Sequence, residues 1–122
     1  MPAIPKPKML FWTSHARAKM HFYKLSEGRV RRVLQTPKRI EEGVAPETVA
    51  MMQPATMKFS IGRADVKKKG EKWSQEIWVM VQDDERGRKV ISAWRYPGMS
   101  KVRSALALQM ARQEYDEFIK EK

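Results

Sequence analysis

Two runs in the second half of the chain, Trp73–Gln82 and Lys89–Tyr96, limit the fold more than any other feature. In Glu76–Val81 (EIWVMV), Ile77, Val79 and Val81 fall on one side of an extended backbone, and Trp78 and Met80 on the other. A strand that is apolar on both faces is covered on both, so it belongs at the centre of a sheet. The second run, KVISAW, repeats the pattern and closes on Arg95, Tyr96 and a Pro-Gly stop. Asp83-Asp84-Glu85-Arg86-Gly87 between the two reads as a hairpin connection. A third strand is expected over Met57–Lys67, joined to Trp73–Gln82 through the tip Lys68-Lys69-Gly70-Glu71, and a weaker one over Arg39–Val44. Ala45–Thr56 places Pro46 and Pro54 around a Met-rich middle and reads as a loop with at most one helical turn.

Helices are expected on both sides of these strands. Met9–Thr13 (MLFWT) suggests a first short strand, Ser14 an N-cap, and Ala16, Met20 and Tyr23 a helix at i, i+4, i+7 spacing. Ser26 opens a second helix carrying Val30, Val33 and Leu34 on one face, ended by Pro37. Together they form a helical hairpin. Ser100 is the expected cap of a last helix reaching about Lys120. That helix has one stripe of Leu108, Ala111, Tyr115 and Phe118, and another of Val102, Leu106 and Met110. Two stripes exceed what one sheet needs: either the helix is sunk in its own core, or one stripe receives a partner such as a second copy of the chain. The expected class is α+β: a helical hairpin packed on a mainly antiparallel sheet of four to five strands, with a long C-terminal helix. Residues 1–8, rich in proline, read as a flexible lead-in to a single domain over residues 9–122.

Charge narrows the partners. The chain has 25 Lys+Arg against 14 Asp+Glu, a net charge of +11. Between residues 15 and 39 there are eight basic residues and one acid, Glu27, so the excess lies in the body of the domain. A domain this basic favours polyanions, above all nucleic acid, although an acidic protein would satisfy the same field. No apolar run reaches the roughly eighteen residues of a membrane span, and no membrane partner is expected. The absence of cysteine removes disulfides and thiolate zinc sites and suits a cytoplasmic setting. His15 and His21 have no third ligand in view, so neither a metal nor a cofactor is expected.

Two stretches carry a resemblance. Ser14–Gly43 (SHARAKMHFYKLSEGRVRRVLQTPKRIEEG) resembles an uncharacterised domain family that starts on His-Ala and follows its second helix with a Pro-x-Arg turn. Ile61-Gly62-Arg63, Trp78-Val79-Met80-Val81 and Val90-Ile91-Ser92-Ala93 with Arg95 are similar to the BrnT family of bacterial toxins. Both look like relatives in the RelE-like superfamily of small basic toxins. The resemblance implies a RelE-like fold and a metal-independent endoribonuclease that cuts mRNA, ribosome-bound or free, and is neutralised by an antitoxin. In such cleavage the substrate's own 2′-OH attacks, and the protein supplies acid, base and cations for the charged phosphorane. On that basis Arg95 and Arg63 are the candidates for gripping the phosphate, and Tyr96 and His15 for handling protons. Arg29, Arg32, Lys67, Lys68, Lys69 and Arg88 are the expected contacts to the nucleic-acid backbone. The chain departs from the BrnT pattern where Trp94 replaces the first of two adjacent arginines, and Tyr115 lies far beyond the position of the toxins' closing tyrosine. The alternative class is a non-catalytic module that binds nucleic acid or protein through the same face.

Overall fold

The computed structural model describes residues 9–42, 44–56, 58–59 and 71–121. The elements run β1 (Leu10–Trp12), α1 (Ser14–Tyr23), α2 (Glu27–Gln35), β2 (Arg39–Glu42), β3 (Thr48–Pro54), β4 (Lys58–Phe59), β5 (Glu71–Lys72), β6 (Gln75–Asp84), β7 (Gly87–Pro97) and α3 (Ala105–Lys120). Five strands form a mixed sheet in the order β1-β7-β6-β3-β2, and β4 and β5 form a separate two-stranded ribbon. Only the β1–β7 pairing is parallel; the other three pairings in the main sheet are antiparallel. The α+β class, the helical hairpin and the mainly antiparallel sheet therefore agree with expectation.

β6 is central, as its two apolar faces require. On one face Ile77, Val79 and Val81, with Val90 and Ala93 of β7, pack against Ala16, Met20, Leu25, Val30 and Val33 of the helical hairpin. On the other, Trp78, Met80, Ile91 and Trp94 pack with Ala50 and Met52 of β3 and with Ala111 and Phe118 of α3. Trp78 and Trp94 are cross-strand partners whose rings stack 6.2 Å apart and 5° from parallel. The ladder slips between Met80 and Val81, leaving Ile91 of β7 without a partner. This bulge turns Ser92 toward α3, where its hydroxyl donates to Glu114.

Four expectations are corrected. Ala45–Thr56 is not a loop: it holds β3, which pairs along its whole length with β6. Its prolines do not interrupt the strand, because Pro46 precedes it and Pro54 is its last residue. The main-sheet partners of β6 are therefore β3 and β7; of the expected strand Met57–Lys67, Lys58–Phe59 pairs with β5, and the rest lies outside the described residues. The helix caps are shifted too. Thr13 caps α1 by accepting from the Ala16 amide at 3.0 Å, and Ser104 caps α3 by accepting from Ala107 at 3.1 Å. Ser100, the expected cap, is instead buried against Glu76. On α3 the buried stripe is Ala107, Ala111, Glu114 and Phe118, while Leu106 is exposed.

The edge strand β1 depends on one glycine. Gly87 opens β7 at φ 152, and a Cβ there would collide with the Met9 carbonyl oxygen and the Phe11 ring. Gly87→Ala should therefore loosen β1 at a cost of about 1–3 kcal/mol, the usual scale of such backbone strain. Urea unfolding would measure the loss, and amide exchange should rise first at Leu10–Trp12.

Candidate nucleic-acid interface

β3 ends, β6 begins and β7 ends at the same edge of the sheet, since Pro54 pairs with Glu76 and Gln75 with Pro97. The side chains alternate there, so Gln53 and Arg95 face the helical hairpin. Arg95 Nε donates to the Tyr23 carbonyl at 2.9 Å, at the end of α1, and Nη1 donates to Gln75 Oε1 at 2.9 Å. From α2, Arg29 Nη1 donates to Gln53 Oε1 at 2.5 Å, and Nη2 to the Pro54 carbonyl at 3.0 Å. Gln53 Nε2 in turn donates to the carbonyls of Arg32 and Thr36, which binds the C-terminal half of α2 to β3. Arg32 is exposed on the same helix.

The acceptors of Arg29 and Arg95 are amide or carbonyl oxygens, none of them charged. Among the described residues, other arginines are neutralised: Arg17 by Glu27, Arg88 by Asp83, and Arg39 and Arg103 by Glu41. Burial, and then the neighbouring guanidinium groups of Arg32 and Arg95, push the Arg29 pKa below its ordinary value. A guanidinium has five N–H donors, and Arg29 and Arg95 each spend two on these contacts. Among the described residues, the site thus has unspent donors and positive charge with no acid paired to it, the two properties that attract a phosphodiester.

The other expected residues are placed elsewhere. Tyr96 follows Arg95 on a strand, so it points to the opposite face, against the cluster of Trp78 and Trp94. Arg88 is at the far end of β7 and forms a bidentate ion pair with Asp83, at 2.8 and 3.1 Å. Arg63, Lys67, Lys68 and Lys69 lie outside the described residues.

His15 is buried in a third place. Its Nε2 lies 3.1 Å from Glu114 Oε1 and its Nδ1 lies 3.1 Å from Glu121 Oε1. Glu114 Oε1 also accepts from Ser92 Oγ at 2.6 Å, and Oε2 pairs with the Lys19 ammonium at 2.9 Å. Glu114 therefore ties α3 to α1 and β7 in one cluster. The bonds to Glu114 raise the Lys19 pKa above 10.5, although burial, the largest single influence, acts the other way. His15, Glu114 and Glu117 bring ligand-capable atoms within 4.8 Å of one another. The Lys19 ammonium already supplies the cation that this carboxylate needs, so the cluster reads as a fastening. A hollow of about 210 Å³ beside it is lined by Thr13, Ser14, His15, Phe118 and Glu121.

Glu114 and Glu76 were missed by sequence reasoning, and each had a signal. Glu114 occupies the i+3 position after Ala111 in the buried stripe, where a lone acid needs partners. Glu76 is flanked by Trp73 and Trp78, whose indole N–H groups require acceptors when buried.

Comparison of the chain with protein-family models, with curated proteins and with solved structures gave no match.

Proposed function

We propose that this chain binds the backbone of single-stranded RNA through Arg29, Arg32 and Arg95, as a module on a RelE-like fold. The observation that carries the reading is the gathering of these guanidinium groups at one end of the sheet with only neutral acceptors recorded among the described residues. The net charge of +11 supplies the attraction at longer range. The RelE-like assignment rests on the resemblance, and a helical hairpin on a mainly antiparallel five-stranded sheet with a closing helix is compatible with it. Among the described residues, no helix is long and apolar enough to cross a membrane. A cytoplasmic setting belongs to the same proposal.

Fluorescence anisotropy with a labelled single-stranded RNA tests it. Log K should fall with log salt by about 0.7 for each phosphate neutralised. Arg29→Ala combined with Arg32→Ala should reduce affinity about tenfold or more and flatten that slope, as expected for lost charge-assisted bonds. Arg112→Ala should change little, because Arg112 is an exposed residue of α3 paired with Asp116. Affinity independent of salt, or a double variant that binds like the parent, overturns the reading.

The second reading is the endoribonuclease toxin with its antitoxin, favoured by the resemblance around Arg95. Arg29 and Arg95 are suited to stabilise a pentacovalent phosphorane. The expected proton handlers do not join them: Tyr96 is on the other sheet face and His15 is enclosed by Glu114 and Glu121. Binding therefore has the stronger support. Cleavage of RNA by the parent protein, abolished in Arg95→Ala at unchanged melting temperature, would establish the toxin instead.

A further inference from the structure

Phe22 is 73% exposed, the one exposed aromatic side chain among the described residues. The pattern of α1 puts it there. Ala16, Met20 and Tyr23 recur at i, i+4 and i+7 on the stripe that meets the sheet, and Phe22 falls outside that stripe. A single exposed apolar side chain is ordinary on a protein surface. This one is set apart by how it is held and by what lies beside it.

The Tyr23 ring lies nearly perpendicular to that of Phe22, with centroids 4.8 Å apart and planes at 87°. Tyr23 is itself anchored, because it packs against the core clusters on both faces of the sheet. The Lys19 ammonium lies 5.9 Å from the Phe22 centroid and is tied to Glu114 at 2.9 Å, which steadies that side of the ring. Phe22 is thus held in place while most of its surface faces water. The arginine site begins one residue further on. The Tyr23 ring meets Phe22, and the Tyr23 carbonyl accepts from Arg95 Nε at 2.9 Å. Lys24 follows as the C-cap of α1, exposed and with no acid paired to it among the described residues.

A ligand that uses both features needs a flat π face and a phosphate on the same molecule. A duplex backbone could engage the arginines, but its bases stay stacked and leave the ring unused. A specific protein interface buries roughly 800 Å² on each side, and one ring among cations is a small apolar anchor for it. An unpaired base on a phosphodiester chain supplies both parts. We infer that Phe22 is a stacking platform for an unpaired base of the bound strand, beside the phosphate held by Arg29 and Arg95. The inference rests on the RNA reading and deepens it: the arginines attract any phosphate backbone, and the ring makes the site prefer single strands.

Anisotropy titrations of a short single-stranded RNA, and of the same sequence as a duplex, test it on the full chain and its variants. Phe22→Ala should weaken single-strand binding about five- to hundredfold, the scale of one stacked base. Its melting temperature should not change, because the side chain is exposed. Its slope of log K against log salt should match the parent's, since no phosphate contact is lost, whereas Arg29→Ala with Arg32→Ala flattens that slope. Phe22→Leu, which has no π face, should fall with alanine, and Phe22→Trp should bind at least as tightly as the parent. Duplex affinity should be the same in the parent and all three Phe22 variants. A Phe22→Ala protein that binds single strands like the parent, while the double arginine variant does not, overturns the platform and leaves the RNA reading standing. Equal losses on single strand and duplex also overturn the platform. A parent without RNA affinity overturns the RNA reading and the platform with it.

Discussion

Glu76→Ala should cost this protein about 3–5 kcal/mol, a large share of the roughly 5–15 kcal/mol by which domains are usually stable. The Glu76 side chain is fully buried and accepts from four donors: Trp73 Nε1, Trp78 Nε1, and the amide and hydroxyl of Ser100. Alanine leaves all four facing a void, and each unsatisfied buried donor costs about 1–3 kcal/mol, partly offset because a carboxylate no longer has to be buried. Glu76→Gln separates the bonding contribution from volume. Its amide nitrogen is best placed where Oε1 lay, because the Ser100 hydroxyl can turn to accept from it. The Trp78 N–H then faces another N–H, so the variant should lose about half as much as alanine. Chemical denaturation of the parent and both variants measures the series. A Glu76→Ala protein as stable as the parent would mean that the four contacts contribute nothing net.

The fold was legible where apolar pattern alone decides it. β6 and β7 were placed at the centre because both of their faces are apolar, and the pairings of β6 on either side bear this out. β3 was not legible, although Ala50 and Met52 face one core and Met51 the other. Prolines at 46 and 54 suggest a break in the segment, yet a proline outside a strand or at its last position removes no needed donor. Ser14 and Ser100 as caps failed for a different reason. Capping is a choice among neighbouring hydroxyls, and Thr13 was preferred because the same oxygen also donates to the carbonyls of β7. Ser100 was already committed to Glu76.

The candidate site was half visible. Basic composition and Arg95 at a strand end were plain in the sequence, whereas Tyr96 was expected beside Arg95 although strand alternation puts it on the opposite face. That Arg29 meets Arg95 required the topology, because 65 residues of chain lie between them. Which of the many arginines are neutralised also depends on register: Asp83 faces Arg88 only because these two residues are cross-strand partners. The basic excess by itself therefore marks a protein that attracts polyanions, and the sheet decides which cations remain to receive one.

The second large effect is expected at Glu114. Glu114→Ala should destabilise the protein by about 2–4 kcal/mol, since it leaves His15, Ser92 and Lys19 without the acceptor they share. Ser92→Ala should cost about 1 kcal/mol, the net worth of one hydrogen bond. The two together should cost less than their sum, because the Ser92 bond cannot be lost twice. The pH dependence gives an independent check. Bonds to Glu114 raise the Lys19 pKa above 10.5 in the folded chain, so their stabilisation is fully present below the unfolded value and is lost as pH rises through the folded one. Melting temperatures of the parent should consequently fall more steeply above about pH 10.5 than those of Lys19→Met, which has no ammonium to lose. Parallel profiles would show that Lys19 contributes nothing to the cluster. With Lys19 removed, His15, Glu114 and Glu117 keep their ligand-capable atoms close but lack the cation beside them. If zinc then raises the melting temperature of Lys19→Met and leaves the parent unchanged, the ammonium has been holding the place of a metal ion.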